Sequence, residues 1–219
     1  MFDNYDNVTA RLRASGDYLW PLLLRLVMFW EFWEAGTKKL NGGNWFADIP
    51  WADWQKGFPW PFDMVPTDIN WLAATWGELV FSVLILFGLF TRFAALSLLV
   101  ITVVATAAVH WPGDWGSYSE LWEGYVITAK DAGNFKLPLL FVLILLPLVF
   151  QGGGKISLDH LLLKFTGRDS YTTDRIGDGI AAAMMFAIMG ITTIFLEPVW
   201  GITFFVIAVI VGLTPALRR

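Results

Sequence analysis

The sequence predicts an all-α membrane bundle, and three observations predict it. Apolar residues make up 56% of the 219 positions, charged residues make up 16%, and the mean hydropathy is +0.57. An ordinary globular chain carries roughly 25% charged residues, and here the apolar residues gather in runs near the length of a bilayer crossing. The same composition excludes several classes of function. With no cysteine, thiolate metal sites, iron–sulfur clusters and thiol–disulfide catalysis are ruled out. Two histidines supply few haem or metal ligands, so no metal site is expected. A net charge of -4 offers no basic face to nucleic acid.

A membrane helix needs about 20 mostly apolar residues, and six runs approach that length: 18–36, 70–90, 93–110, 135–150, 176–195 and 201–217. The first carries Arg25, Glu31 and Glu34. The second and third are rich in Leu, Val, Ile, Phe and Ala and are joined near Gly88. The fourth contains Pro138 and Pro147 and is expected to kink. The last two are separated only by a short link with Pro198 as breaker, which predicts a tight hairpin. Ahead of the first run, residues 1–17 are polar, contain Asp3, Asp6 and Asp17, and lack the basic start and cleavage site of a secretory signal. A retained cytoplasmic N-terminal segment is expected.

Counting Lys and Arg in alternate loops gives the orientation. Arg11, Arg13, Arg92, Lys155, Lys164, Arg168, Arg175, Arg218 and Arg219 fall on one side; Lys38, Lys39, Lys56, Lys130 and Lys136 fall on the other. The bias of nine to five predicts that both termini are cytoplasmic. The expected organisation is a segment 1–17, a four-helix domain 18–165 with outer loops at 37–69 and 111–134, and a C-terminal hairpin domain 166–219. Most of the 13 Trp fall in or beside those outer loops. An interfacial aromatic belt explains Trp at membrane surfaces, but a belt has two sides. The stretch 44–68 is too short and too charged to cross, and is expected to lie on the outer surface as a lid.

Ionisable groups inside spans are costly and point to function. Glu31, Glu34 and Lys38 fall within about 60° on one stripe of the first helix, Glu78 enters the second span at a similar level, and His110 closes the third. These five are the candidate ligand- or proton-binding residues. An acidic surplus of this kind suits proton exchange with a quinol or a hydrogen bond to a ligand. The structural alternative is an ion-pair network in which Lys38 or Lys39 neutralises a carboxylate. Arg25 and Arg92 are expected to be structural or lipid-facing charges, with Arg25 snorkelling toward the cytoplasmic side. The run at 151–155 has the glycines of a phosphate loop without its spacing, and reads better as helix termination. Gly179, Ala183 and Ala187 form a small-residue stripe suited to packing a neighbouring helix or another subunit.

Several of these pieces resemble the DoxX family. LLLRL at 22–26 and EFWEAGTKKL at 31–40 look like its first helix; WGELVFSVLILFGLFTRFAAL at 76–96 is similar to its second helix and following turn; GGGKISLDHLL at 152–162 is similar to its signature after the fourth helix. The VHWP at 109–112 and the Trp-rich first loop resemble the HvfX-like branch. The resemblance spans about 18–165 and implies a four-helix core in a bacterial inner membrane, in a redox-linked setting: members include a subunit of thiosulfate:quinone oxidoreductase. Lys136 stands where many members carry a carboxylate, and the hairpin lies outside the shared region.

The expected function is therefore an integral membrane subunit of a redox-linked complex, with an outer-side acidic pocket for quinone or a small ligand. The alternatives are a stand-alone DoxX-type oxidoreductase that reduces quinone, and a small-solute transporter. No intrinsic cofactor is expected, and a bound quinone or lipid is the group such a pocket would take. The expected partners are the lipid bilayer and other membrane subunits.

Overall fold

A computed structural model describes residues 2–44, 58, 60–128, 133–168 and 178–214. The expected lid, with Trp45, Trp51, Trp54 and Lys56, lies largely outside these residues, as do Lys130, Arg175, Arg218, Arg219 and the end of the sixth expected span. Among the described residues the chain is helical without strands. The helices are α1 (Phe2–Asn41), α2 (Thr67–Phe87), α3 (Thr91–Ala105, continued by a π-turn Thr106–His110), α4 (Tyr118–Glu123), α5 (Lys136–Gln151), α6 (Leu158–Phe165), α7 (Asp178–Thr193) and α8 (Pro198–Leu213).

Each expected span falls on a helix, but their lengths differ. Two stretches, Thr67–Phe87 and Thr91–His110, are long and apolar enough to cross a membrane by themselves. Helices α5, α7 and α8 are apolar but have 16 residues each. Helix α1 runs for 40 residues, about 60 Å at 1.5 Å per residue, because it takes in most of the polar segment expected to precede it. Nothing in residues 2–17 breaks a helix, and the Pro at 21 is accommodated by a bond elsewhere, as shown below.

Contacts divide the chain into two units. The first is Met1–Gly43, Trp71–Leu99 and Phe141–Ser170; its buried core includes Met28, Phe32, Ile85, Leu98, Leu99, Leu145 and Leu148. Phe32 and Phe141 meet at 5.9 Å between ring centroids. The second is Asn44–Asn70, Val100–Leu140 and Tyr171–Arg219, with Val103, Leu121, Phe135 and Ala208 buried. On the outward faces the usual pattern of a water-soluble protein is reversed. Leu72, Val80 and Phe87 on α2, and Ile202, Val206, Val209, Ile210 and Leu213 on α8, are all exposed. Contiguous apolar surface of this kind marks a face that meets lipid or protein rather than water.

In the second unit, α7 and α8 form the expected hairpin. A Cβ on Gly201 would lie 2.4 Å from Ile194 Cα, so only glycine lets the two backbones approach this closely. A Cβ on Gly212 would sit 3.3 Å from Ala183 Cβ. At Ala183 the small-residue stripe therefore packs within the hairpin; Gly179 is buried and Ala187 half-buried.

Candidate functional site

Helix α1 presents one buried stripe, made by Arg25, Met28, Phe32 and Gly36, and continued by the half-buried Lys39. Spacings of three and four residues keep these positions on one side of a helix. At the upper end of the stripe α1 and α2 come close. A Cβ on Gly36 would lie 2.8 Å from Leu79 Cγ and 3.2 Å from Glu78 Cβ. The gap left by this glycine lets Lys39 reach Glu78: its ammonium donates to both carboxylate oxygens at 2.7 Å. The Lys39 and Glu78 side chains are 20% and 6% exposed. Glu78 stands midway along α2, among apolar side chains, with both oxygens satisfied by one cation.

The other ionisable residues of α1 lie elsewhere. Glu34 pairs with Lys38 at 2.5 Å along an exposed face, with side chains 49% and 73% exposed. With Trp30, Trp33 and Thr37 they line an open groove of about 220 Å³. Glu31 is half-buried. In place of the expected meeting of Glu31, Glu34 and Glu78, Glu34 and Glu78 each pair with a different lysine, and among the described residues no group of three or more His, Asp or Glu is gathered as a metal site would require. The physical reason is helical phase. Lys39 lies on the buried stripe and Lys38 one residue, about 100°, away from it. The phase of Arg25, Met28, Phe32 and Gly36 was the signal in the sequence that could have selected Lys39.

His110 belongs to the second unit. There the π-turn Thr106–His110 closes with Trp111 N donating to Thr106 O at 2.7 Å. His110 Nδ1 lies 2.6 Å from Asn134 Oδ1, and Asn134 N donates to His110 O at 3.0 Å. Beside this link is an aromatic cluster. Phe135 is 5.2 Å from Trp111 and 6.4 Å from Trp122, and Trp122 stacks on Tyr125 at 4.7 Å. Lys136 places its ammonium 4.9 Å from the centre of the Tyr125 ring, an arrangement in which the ring quadrupole attracts the cation. Asn134 and this cluster escaped the sequence reading, since contacts across a loop leave no periodic trace.

Arg25 takes the structural one of the two roles expected of it, and the expected snorkelling is not what the structure shows. It does not reach toward lipid or solvent: it is 2% exposed and donates from Nη1 to Gly153 O at 3.1 Å. It is part of a junction where α1, the turn between α2 and α3, and the linker between α5 and α6 meet. Pro21 has no N–H to give Asp17 O, four residues earlier in the helix. That carbonyl instead accepts from Lys155 N at 3.0 Å. Gly88 has φ +65, and a Cβ there would lie 2.0 Å from Arg25 Nη1 and 2.6 Å from Ser157 Cβ. Asp159 accepts from Phe90 N at 2.7 Å and Thr91 N at 2.8 Å, capping the start of α3, while its own N–H donates to Gly88 O at 2.9 Å. Ser157 caps α6 by accepting from His160 N at 3.1 Å. Arg92 donates from Nη2 to the carbonyls of Phe150 and Gln151, both at 3.2 Å, at the end of α5, where a cation is favoured by the helix dipole. Arg92 is thus structural, one of the two roles expected of it.

Among the described residues the chain is all-helical, and its apolar outward faces and two membrane-length helices fit a membrane protein. The DoxX family matches residues 20–111, which hold Arg25, Lys39, Glu78 and His110. The chain is also 43% identical over 155 residues to an uncharacterized protein of Haemophilus influenzae, covering 71% of this chain and 91% of that protein. Residues 20–111 thus form a DoxX family domain, of a family of membrane proteins. No solved structure matches it.

Proposed function

We propose that this protein is a multi-pass subunit of a redox-linked complex in a bacterial inner membrane, of the HvfX-like branch of its family, with α1, α2, α3, α5, α7 and α8 crossing the bilayer and both termini cytoplasmic. Arginine and lysine placement supports the orientation. The observation that carries the function is the Lys39–Glu78 pair. Charges placed among apolar side chains in a membrane are retained where they bind or move something, and a carboxylate held by a single ammonium can exchange that partner for a polar group of a bound quinone or small ligand. With no cysteine, the chain has no thiolate-held electron carrier, so electrons would come from a partner's cofactor or directly from a donor. That favours the subunit reading over the stand-alone oxidoreductase.

The test is gentle extraction of the native protein, identification of co-purifying subunits, and extraction of bound quinone, compared with the Glu78→Gln variant. The proposal expects co-purifying membrane subunits, and quinone that falls at least several-fold in Glu78→Gln. A chain that purifies alone, without quinone, overturns it.

A further inference from the structure

We propose that α6 is an in-plane membrane anchor that seats an apolar face in the bilayer surface and holds anionic phospholipid headgroups with flanking cations. Three observations carry it. First, the position of α6 is fixed. Its Asp159 side chain caps α3 through Phe90 N and Thr91 N, and its backbone N–H bonds Gly88 O. That turn separates the two helices long and apolar enough to cross a membrane, so it must lie at one membrane face, and the start of α6 lies with it. Second, α6 is amphipathic and none of its residues is buried. Leu158, Leu161, Leu162 and Phe165, at the spacing of one helical face, are all exposed, Phe165 at 78%, and Ile156 just before them is 50% exposed. At eight residues, about 12 Å, the helix is far too short to cross. Apolar side chains held at a membrane face gain most by entering the boundary between headgroups and acyl chains.

Third, the exposed charges of the segment itself are cationic. Lys155, Lys164 and Arg168 are exposed; Lys155 lies 3.9 Å from the exposed Asp17 carboxylate, while Asp159, the acid of this segment, is engaged with the start of α3. Long cationic side chains beside an apolar stripe reach headgroup phosphates while their stems stay in the apolar layer. Each cation near an anionic surface adds about fivefold to partitioning.

The absence of cysteine makes the test direct. Phe165→Cys, Leu161→Cys and His160→Cys are each made in the full chain, spin-labelled, and placed in lipid nanodiscs of zwitterionic lipid or of a zwitterionic and anionic mixture. The expected result is that labels at 165 and 161 are accessible to oxygen and shielded from a water-soluble nickel reagent, with the reverse at 160. The labels should also sit deeper in the anionic mixture, and this difference should vanish in Lys155→Gln/Lys164→Gln/Arg168→Gln. Labels at 165 and 161 open to the nickel reagent, or shielded from both reagents because protein covers them, overturn the anchor. Equal depth in the two lipid mixtures overturns the headgroup recognition.

Discussion

Deleting the cation of the Lys39–Glu78 pair tests the geometry most sharply. Lys39→Met keeps most of the stem and removes the ammonium that satisfies both Glu78 oxygens at 2.7 Å. The stranded carboxylate is 6% exposed, whereas the ammonium stranded by Glu78→Met is 20% exposed and can turn toward the rim. Breaking a buried pair by removing one partner costs about 3–5 kcal/mol. Lys39→Met should fall in that range and Glu78→Met nearer 2 kcal/mol, given the better access of its orphan to water. Replacing a whole buried pair with apolar side chains is often close to neutral. The double variant should therefore lie within about 1–2 kcal/mol of the native chain, giving a coupling of several kcal/mol. Reversible unfolding of the full chain in mixed detergent micelles, across the four members of the cycle, measures this. Additive single costs, with coupling below about 0.5 kcal/mol, would refute the reasoning, as would a larger cost for Glu78→Met than for Lys39→Met.

Four further outcomes can be checked by the same unfolding measurement. Gly88→Ala meets a positive φ, Arg25 Nη1 at 2.0 Å and the anchored Ser157 Cβ at 2.6 Å, and should cost about 2–4 kcal/mol, while Gly16→Ala, with nothing within 4 Å, should stabilise α1 by about 0.5–1 kcal/mol. Asp159→Ala leaves Phe90 N and Thr91 N without their acceptor and should cost about 1–2 kcal/mol. Gly201→Ala drives a Cβ to within 2.4 Å of Ile194 Cα, a backbone atom that cannot rotate away, and should cost about 3 kcal/mol by forcing α7 and α8 apart; a cost below about 1 kcal/mol would mean that the hairpin is looser than described.

Much of the fold is legible in the sequence, because span length and apolar content are local properties. The runs at 70–90 and 93–110 became α2 and α3, and the Pro198 break became the turn between α7 and α8. The junction was visible only as separate fragments. The arginine at 25, the glycine and threonine of the turn at 88–91, and the GGGKISLD run at 152–159 are far apart in the chain, yet they meet through Arg25 and Asp159. Helix termination, expected for the glycines at 152–154, describes only part of their role. They also make room for Asp17 O, Pro21 and Ser157.

By itself, then, the sequence determined the chemistry available to this protein: helices, apolar surfaces, a few carboxylates and cations in apolar runs, and no thiolate. Those are consequences of which side chains exist and of how they repeat along the chain. Only the tertiary structure decided which charge meets which. A helix places neighbouring residues about 100° apart, so whether Lys38 or Lys39 finds Glu78, or Arg25 faces lipid or Gly153 O, depends on the rotation of α1 about its own axis. That rotation is set by Met28, Phe32 and Gly36 packing inward, with the charges carried along to wherever the apolar side chains leave them.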